Sequence, residues 1–199
     1  MVANKLFSIV ISGWPAVGKT TIAYKLAEEF GIVMYNGGDI LKMLAEEDKG
    51  YSVKRDDWWD TIEAKKFMEE RNSNPSFDKK VDDKLIQIVK KGGAVITSYT
   101  LPWLVVDEPV IIVKFWLRGS PENRAKRMAN RDGISFAEAE SITKLRDEEN
   151  KRIYHRLYGF RFGEDLTVFD YVLNTDRLSL DSLVEISKLI VRRHIGVAP

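Results

Sequence analysis

The chain has 199 residues, 44% hydrophobic and 31% charged, and its 31 Lys and Arg against 30 Asp and Glu leave a net charge of +1. This fits one globular domain with room for a small mobile insertion, excludes a disordered chain, and gives no reason to expect a nucleic acid or a membrane surface as partner. There is no cysteine, so disulfides and thiolate metal sites are excluded; with no signal-peptide pattern and no apolar run of membrane length, a cytoplasmic protein is expected.

Residues 6–12 (LFSIVIS) form an apolar, β-branched run that predicts a buried strand of a parallel sheet. Residues 20–30 follow with Ile22, Ala23, Leu26, Ala27 and Phe30 at helical spacing and Gly31 as a stop. Between them, Gly13-Trp14-Pro15-Ala16-Val17-Gly18-Lys19-Thr20 matches the pattern G-x-x-x-x-G-K-S/T in full. The glycines let the backbone curl so that successive N–H groups face phosphate oxygens, and the helix starting near Lys19 aims its positive end at the same place. Lys19 is placed to reach the β- and γ-phosphates and Thr20 to offer its hydroxyl to Mg²⁺. A GTPase would also need D-x-x-G and N-K-x-D, and neither pattern occurs. A small chain with one such loop and many later arginines points to a small-molecule kinase.

Further along, residues 32–35 predict a second strand, followed by a glycine turn and a helix from about Asp39, with Asp39 as its cap at the edge of the cleft. Residues 56–71 predict a helix with Trp58, Trp59, Ile62, Phe67 and Met68 as its apolar face, broken at Asn74-Pro75. Residues 77–91 predict another, with Val81, Leu85, Ile88 and Val89 inward. Residues 94–100, 110–117 and 171–175 predict three more strands. A helix over 121–131 carries Arg124, Arg127 and Arg131, the last two on one face. Ser135 and Glu138 form a capping box for a long helix reaching about Tyr158, with His155 near its end. The second half of that helix and its continuation, with Arg146, Arg152, Arg156 and Arg161, are charged and poor in apolar residues, as a closing lid would be. The alternation predicts an α/β fold with a parallel sheet of about five strands flanked by helices on both faces.

In this order the motifs resemble those of nucleoside monophosphate kinases, most closely the archaeal-type cytidylate kinases. The resemblance runs through GWPAVGKTT, GGDILKMLAEE, NPSFDKKVDDKL, FWLRGSPENRAKRMANRDG, RDEENKRIYHRLYGF and LTVFDYVLNT. It implies a single domain over 1–199, with a core of 1–38, 84–128 and 166–199, a helical acceptor-binding insertion over about 39–83, and a lid over about 129–165. The implied reaction is transfer of the ATP γ-phosphoryl group to CMP or dCMP with Mg²⁺. No protein nucleophile is needed, and positioning and charge neutralisation carry it. By position, Gly13, Pro15, Ala16, Val17, Gly18, Lys19, Thr20 and Thr21 would hold the ATP phosphates, and Thr20 and Asp39 the metal. Lys19, Arg127, Arg131 and Arg146 would be the catalytic cations, with Arg127 also on ATP's base side. Asn174 and Thr175 would border the adenine. Asp39, Lys42, Tyr99 and Arg152 would line the acceptor site.

The chain departs from the family pattern at three places. Lys42 stands where an arginine usually follows the G-D pair, keeping the charge without the two-pronged grip. At the third strand, Thr97-Ser98-Tyr99-Thr100-Leu101-Pro102-Trp103 replaces an acidic residue and an arginine. Ile153-Tyr154 replaces an Arg-Tyr pair, with Arg152 one step away. These departures leave open a nucleotide-binding protein of weak or no kinase activity, or a kinase for another phosphorylated acceptor such as AMP. The partners expected are small-molecule nucleotides; the sequence does not set the oligomeric state.

Overall fold

β1 (Phe7–Gly13) is the middle strand of a five-stranded parallel sheet, and its burial on both faces explains why it is apolar apart from Ser8 and Ser12, whose hydroxyls donate to the carbonyls of Val89 and Tyr99. The structure, a computed structural model, describes residues 6–50, 66, 74, 76–106 and 108–196. The helix expected over 56–71, with Trp58 and Trp59, lies outside these except for Lys66.

After β1 come α1 (Lys19–Phe30), β2 (Val33–Asn36), α2 (Gly37–Lys49), α3 (Ser76–Lys91), β3 (Ala94–Thr97) and the short α4 (Leu101–Leu104). They are followed by β4 (Ile111–Arg118), α5 (Pro121–Asp132), α6 (Phe136–Tyr158), β5 (Tyr171–Asn174) and α7 (Leu180–His194). The strand order is β2-β3-β1-β4-β5, and every pairing is parallel. Residues alternate between the two faces, as strand geometry requires. Val10, Ala94 and Ile96 pack with Leu41, Leu44, Val81, Leu85 and Val89 of α2 and α3. Ile9, Ile11, Val95, Val113, Phe115 and Leu117 pack on the other side with Ile22 and Leu26 of α1 and Leu183, Val184 and Val191 of α7. Losing one such fully buried leucine costs about 2–5 kcal/mol.

Because all strands run the same way, Gly13, Asn36, Thr97, Arg118 and Asn174 end together at one edge of the sheet, where open α/β folds bind ligands. Two local expectations change there. The cap of α2 is Asn36, whose side chain accepts from the Asp39 N–H at 2.9 Å. Asp39 is instead the third helical residue, its carboxylate taking a hydrogen bond from the Asn36 amide. The third strand stops at Thr97 and does not reach Thr100. The Ser98 hydroxyl accepts from the N–H groups of Thr100 (3.2 Å) and Leu101 (3.1 Å), turning the chain into α4.

The segment expected to be a weakly buried lid is also more firmly rooted than its composition suggests. α6 is continuous from the Ser135 cap, which accepts from the Glu138 N–H, to Gly159. Tyr154, Phe162 and Phe169 are buried with Trp116, and Trp14, Tyr99, Trp103 and Phe160 pack around them. Tyr154, Phe160 and Phe162 anchor this segment, and a count of charges along the sequence does not reveal them.

Candidate active site

The register of β1 against β4 places Gly13 opposite Leu117. A Cβ on Gly13 would lie 2.2 Å from the Leu117 carbonyl oxygen, and the residue has φ +144°, so only glycine fits. From there the loop bends through Ala16, a non-glycine residue at φ 60° and a point of backbone strain, to Gly18, the left-handed residue that opens α1. Trp14 is held on the outside of the bend by edge-on contacts to Trp116 and Phe162, with ring centroids at 5.9 and 5.0 Å.

Two cavities meet at this loop. The first, about 620 Å³, is lined by Pro15, Ala16, Val17, Gly18, Lys19, Thr20 and Thr21 with Tyr99, Arg127, Arg131 and Arg146. The second, about 530 Å³, opens between α2, α3, α6 and the end of β3. Lys19, Thr20, Tyr99 and Arg146 line both. A group passing from one cavity to the other therefore passes these four side chains.

Lys19 Nζ donates to the carbonyls of Gly13 and Trp14, each at 2.8 Å, and lies 4.7 Å from the centre of the Tyr99 ring. Burial first, then the Arg146 and Arg124 guanidiniums, lower its pKa to about 7. Tyr99 is held by burial above the usual phenol range, and Arg146 faces it. Arg127 donates to Thr175 Oγ1 at 2.9 Å and to the Thr175 carbonyl at 2.6 Å, so Thr175 positions an arginine of the first cavity from behind. The backbone passes closely here: a Cβ on Gly119 would lie 2.9 Å from Thr175 Oγ1. Arg131, with its side chain 60% exposed at the cavity rim, pairs with Asp132. Arg124 points inward instead. At 3% exposure it forms a two-pronged pair with Asp147 (2.9 and 2.6 Å) and lies 5.6 Å from the Trp14 ring.

Other sequence candidates stand apart. Asp39 and Lys42 line neither cavity; Asn36, Gly37 and Gly38 line the second in their place. Arg152 is exposed, while its neighbours Ile153 and Tyr154 face the cavity, because adjacent helix residues point about 100° apart. Asn174 and Thr175 line neither cavity; Thr175 meets the first through its hydrogen bonds from Arg127, and Asn174 accepts from the Asp176 N–H. Sequence reasoning passed over Asp82, which is 5% exposed and lines the second cavity. Its signal was a carboxylate one turn after Asp78, flanking the Phe77, Val81, Leu85 and Val89 stripe. Thr100 Oγ1 and the Tyr158 hydroxyl each donate to it at 2.5 Å, yet burial outweighs them and raises its pKa to about 6.

Comparison with known proteins agrees with this geometry. Residues 8–177 match the family model described as the cytidylate kinase-like family. The cytidylate kinase of Pyrobaculum aerophilum is 36% identical over 179 residues, covering 90% of this chain and 89% of that enzyme. The cytidylate kinase of Sulfurisphaera tokodaii is 37% identical over 183 residues, 92% of each chain. Among solved structures, the shikimate kinase of Bacteroides thetaiotaomicron superposes with a TM-score of 0.58 at 16% identity, covering 96% of this chain and 99% of that one. That last likeness concerns the fold alone. A family match over most of the chain, together with a glycine-bounded loop at the sheet edge where two cavities meet, places this chain in the cytidylate kinase-like family, as a kinase of the phosphate-loop fold.

Proposed function

We propose that the protein transfers the γ-phosphoryl group of ATP to a nucleoside monophosphate, with CMP or dCMP as the preferred acceptor. The observation that carries this reading is the junction: a donor-side cradle and a second cavity share Lys19, Thr20, Tyr99 and Arg146. The donor side suits a polyphosphate, because the loop, α1 and three arginines converge on it. Among the described residues no cluster of three or more carboxylates or histidines could hold a metal unaided. Mg²⁺ would therefore be held by the Thr20 hydroxyl and the phosphates of the bound nucleotide. It would supply charge neutralisation between the phosphates.

The chain's own groups do the rest. Lys19 and Arg146 stand where the acceptor phosphate would approach the γ-phosphoryl group. An acceptor phosphate oxygen forms the new bond to phosphorus as the bond to the β-bridging oxygen breaks, leaving ADP, so no protein base is consumed. Catalysis rests on alignment and on cations already in place. Tyr99 lines the junction beside Lys19.

An ADP-release assay across CMP, dCMP, UMP, AMP and GMP tests the reading. Stimulation is expected, greatest with CMP or dCMP; release stimulated by none of the five would overturn it. ATP binding without any turnover would favour a nucleotide-binding protein, the alternative that Thr97 in place of an acidic residue keeps open.

A further inference from the structure

The second cavity changes character along its length. Its wall shared with the donor cradle carries the cations Lys19 and Arg146. The wall belonging to it alone carries Asp82 and Asp78 of α3, Glu149 and Asn150 of α6, and Asn36. A ligand whose phosphate lies against the cations reaches, with its other end, a wall where these carboxylates and amides stand among Leu41, Val81, Leu85, Ile153 and Tyr154.

Asp82 is the most enclosed of these groups. Phosphoryl transfer needs no base there, and an interior carboxylate is costly unless it is hydrogen-bonded. Thr100 and Tyr158 each occupy one acceptor position on one of its oxygens, which leaves each oxygen a second. We propose that Asp82 is a specificity-determining residue that accepts a hydrogen bond from the exocyclic amine of the acceptor base, selecting cytosine over uracil. This rests on the nucleoside monophosphate kinase reading above. An ionised carboxylate only accepts. Cytosine offers it an amine at C4, whereas uracil offers a carbonyl oxygen, which places two acceptors face to face. Sites built on one hydrogen bond reject analogues that cannot make it.

Protonation changes this selectivity with a definite sign. Ionised Asp82 discriminates, whereas protonated Asp82 can donate to the uracil oxygen and tolerates both bases. The groups around it are Asp78 and Asp83 on α3, Ser98 and Thr100 after β3, and Tyr158 with the cavity-lining Glu149 and Arg146 on α6. On the α2 side stand Asn36 and the Lys84–Glu47 pair. Burial and the neighbouring carboxylates oppose ionisation, and Asp82 titrates at about 6. The preference for CMP over UMP is thus full above that pH and falls below it. Ionisation of the acceptor phosphate is common to both nucleotides and cancels in the ratio.

The test measures kcat/KM for CMP and for UMP on the full chain, as wild type and Asp82→Asn, at pH 5.5 and pH 8. The asparagine amide can donate to uracil, so the CMP-to-UMP ratio at pH 8 is expected to fall by roughly 10-fold or more, with KM for ATP unchanged. The wild-type ratio is expected to drop several-fold at pH 5.5, and that of Asp82→Asn to stay level. A variant ratio within about twofold of wild type, in an enzyme that phosphorylates CMP, overturns the role of Asp82 and leaves the kinase reading intact. If Asp82→Asn fails to fold, the wild-type pH comparison decides: a level ratio overturns the proposal. A wild type that phosphorylates no monophosphate overturns the kinase reading, and the proposal falls with it.

Discussion

Lys19 carries the strongest single expectation. Its ammonium is placed by the first turn of α1 between the loop carbonyls and the Tyr99 ring, at the wall common to both cavities. Lys19→Ala should lower kcat by roughly 10³-fold, in the range of losing one preorganised charge-stabilising group, with an unchanged circular dichroism spectrum. Near-parental turnover would remove Lys19 from its role. Its pKa of about 7 adds a pH signature. Below 7 the free protein is already protonated there. Above 7 it is neutral, and a bound triphosphate, which favours the cation, makes it take up a proton. Affinity should therefore weaken as pH rises through 7. Calorimetric titration of a non-hydrolysable ATP analogue at pH 8, in two buffers of different ionisation enthalpy, should show uptake approaching one proton in wild type and none in Lys19→Ala.

At the scale of elements, the α5–α6 pair decides where the arginines stand. Arg127 and Arg131 lie on α5, and Arg146 on α6 reaches the same cavity. The two helices are locked by the buried Arg124–Asp147 fork. Removing one partner strands the other, so Arg124→Ala should cost about 3–5 kcal/mol. Chemical denaturation measures it, and a change under about 1 kcal/mol would show the fork to be dispensable. The sequence marked Arg124 as one of a series of cations, since nothing in its spacing separates a structural arginine from a phosphate-facing one. Only the packing of α5 shows that Arg124 turns toward Trp14 and Asp147 while Arg127 turns toward Thr175.

Across the whole molecule, the aromatic cluster joins parts distant in sequence: the phosphate loop through Trp14, the β3 exit through Tyr99 and Trp103, β4 through Trp116, and the segment after α6 through Phe162 and Phe169. Gly163 passes so close to Trp14 that a Cβ there would lie 2.1 Å from the indole ring. Phe162→Ala should cost about 3–5 kcal/mol. It should also speed amide exchange in residues 159–170 and in the phosphate loop together, since one packed body holds both. Faster exchange in the first segment alone would show the loop to be independently braced.

The strands and the phosphate loop were legible in the sequence, as were the Gly31 stop and the Ser135 cap, because each depends on neighbours within a few residues: an apolar, β-branched run, a glycine where φ is positive, a serine before a helix. Pro15 to Thr21 came from a local motif, Arg127 and Arg131 from a helical spacing and Arg146 from the resemblance, and the structure lines one cavity with all of them. Asp82, the inward fork of Arg124 and the aromatic anchoring of the segment expected to be a lid were not. Each depends on residues up to about 150 positions apart, and spacing along a chain carries no record of which side chains long-range packing brings face to face.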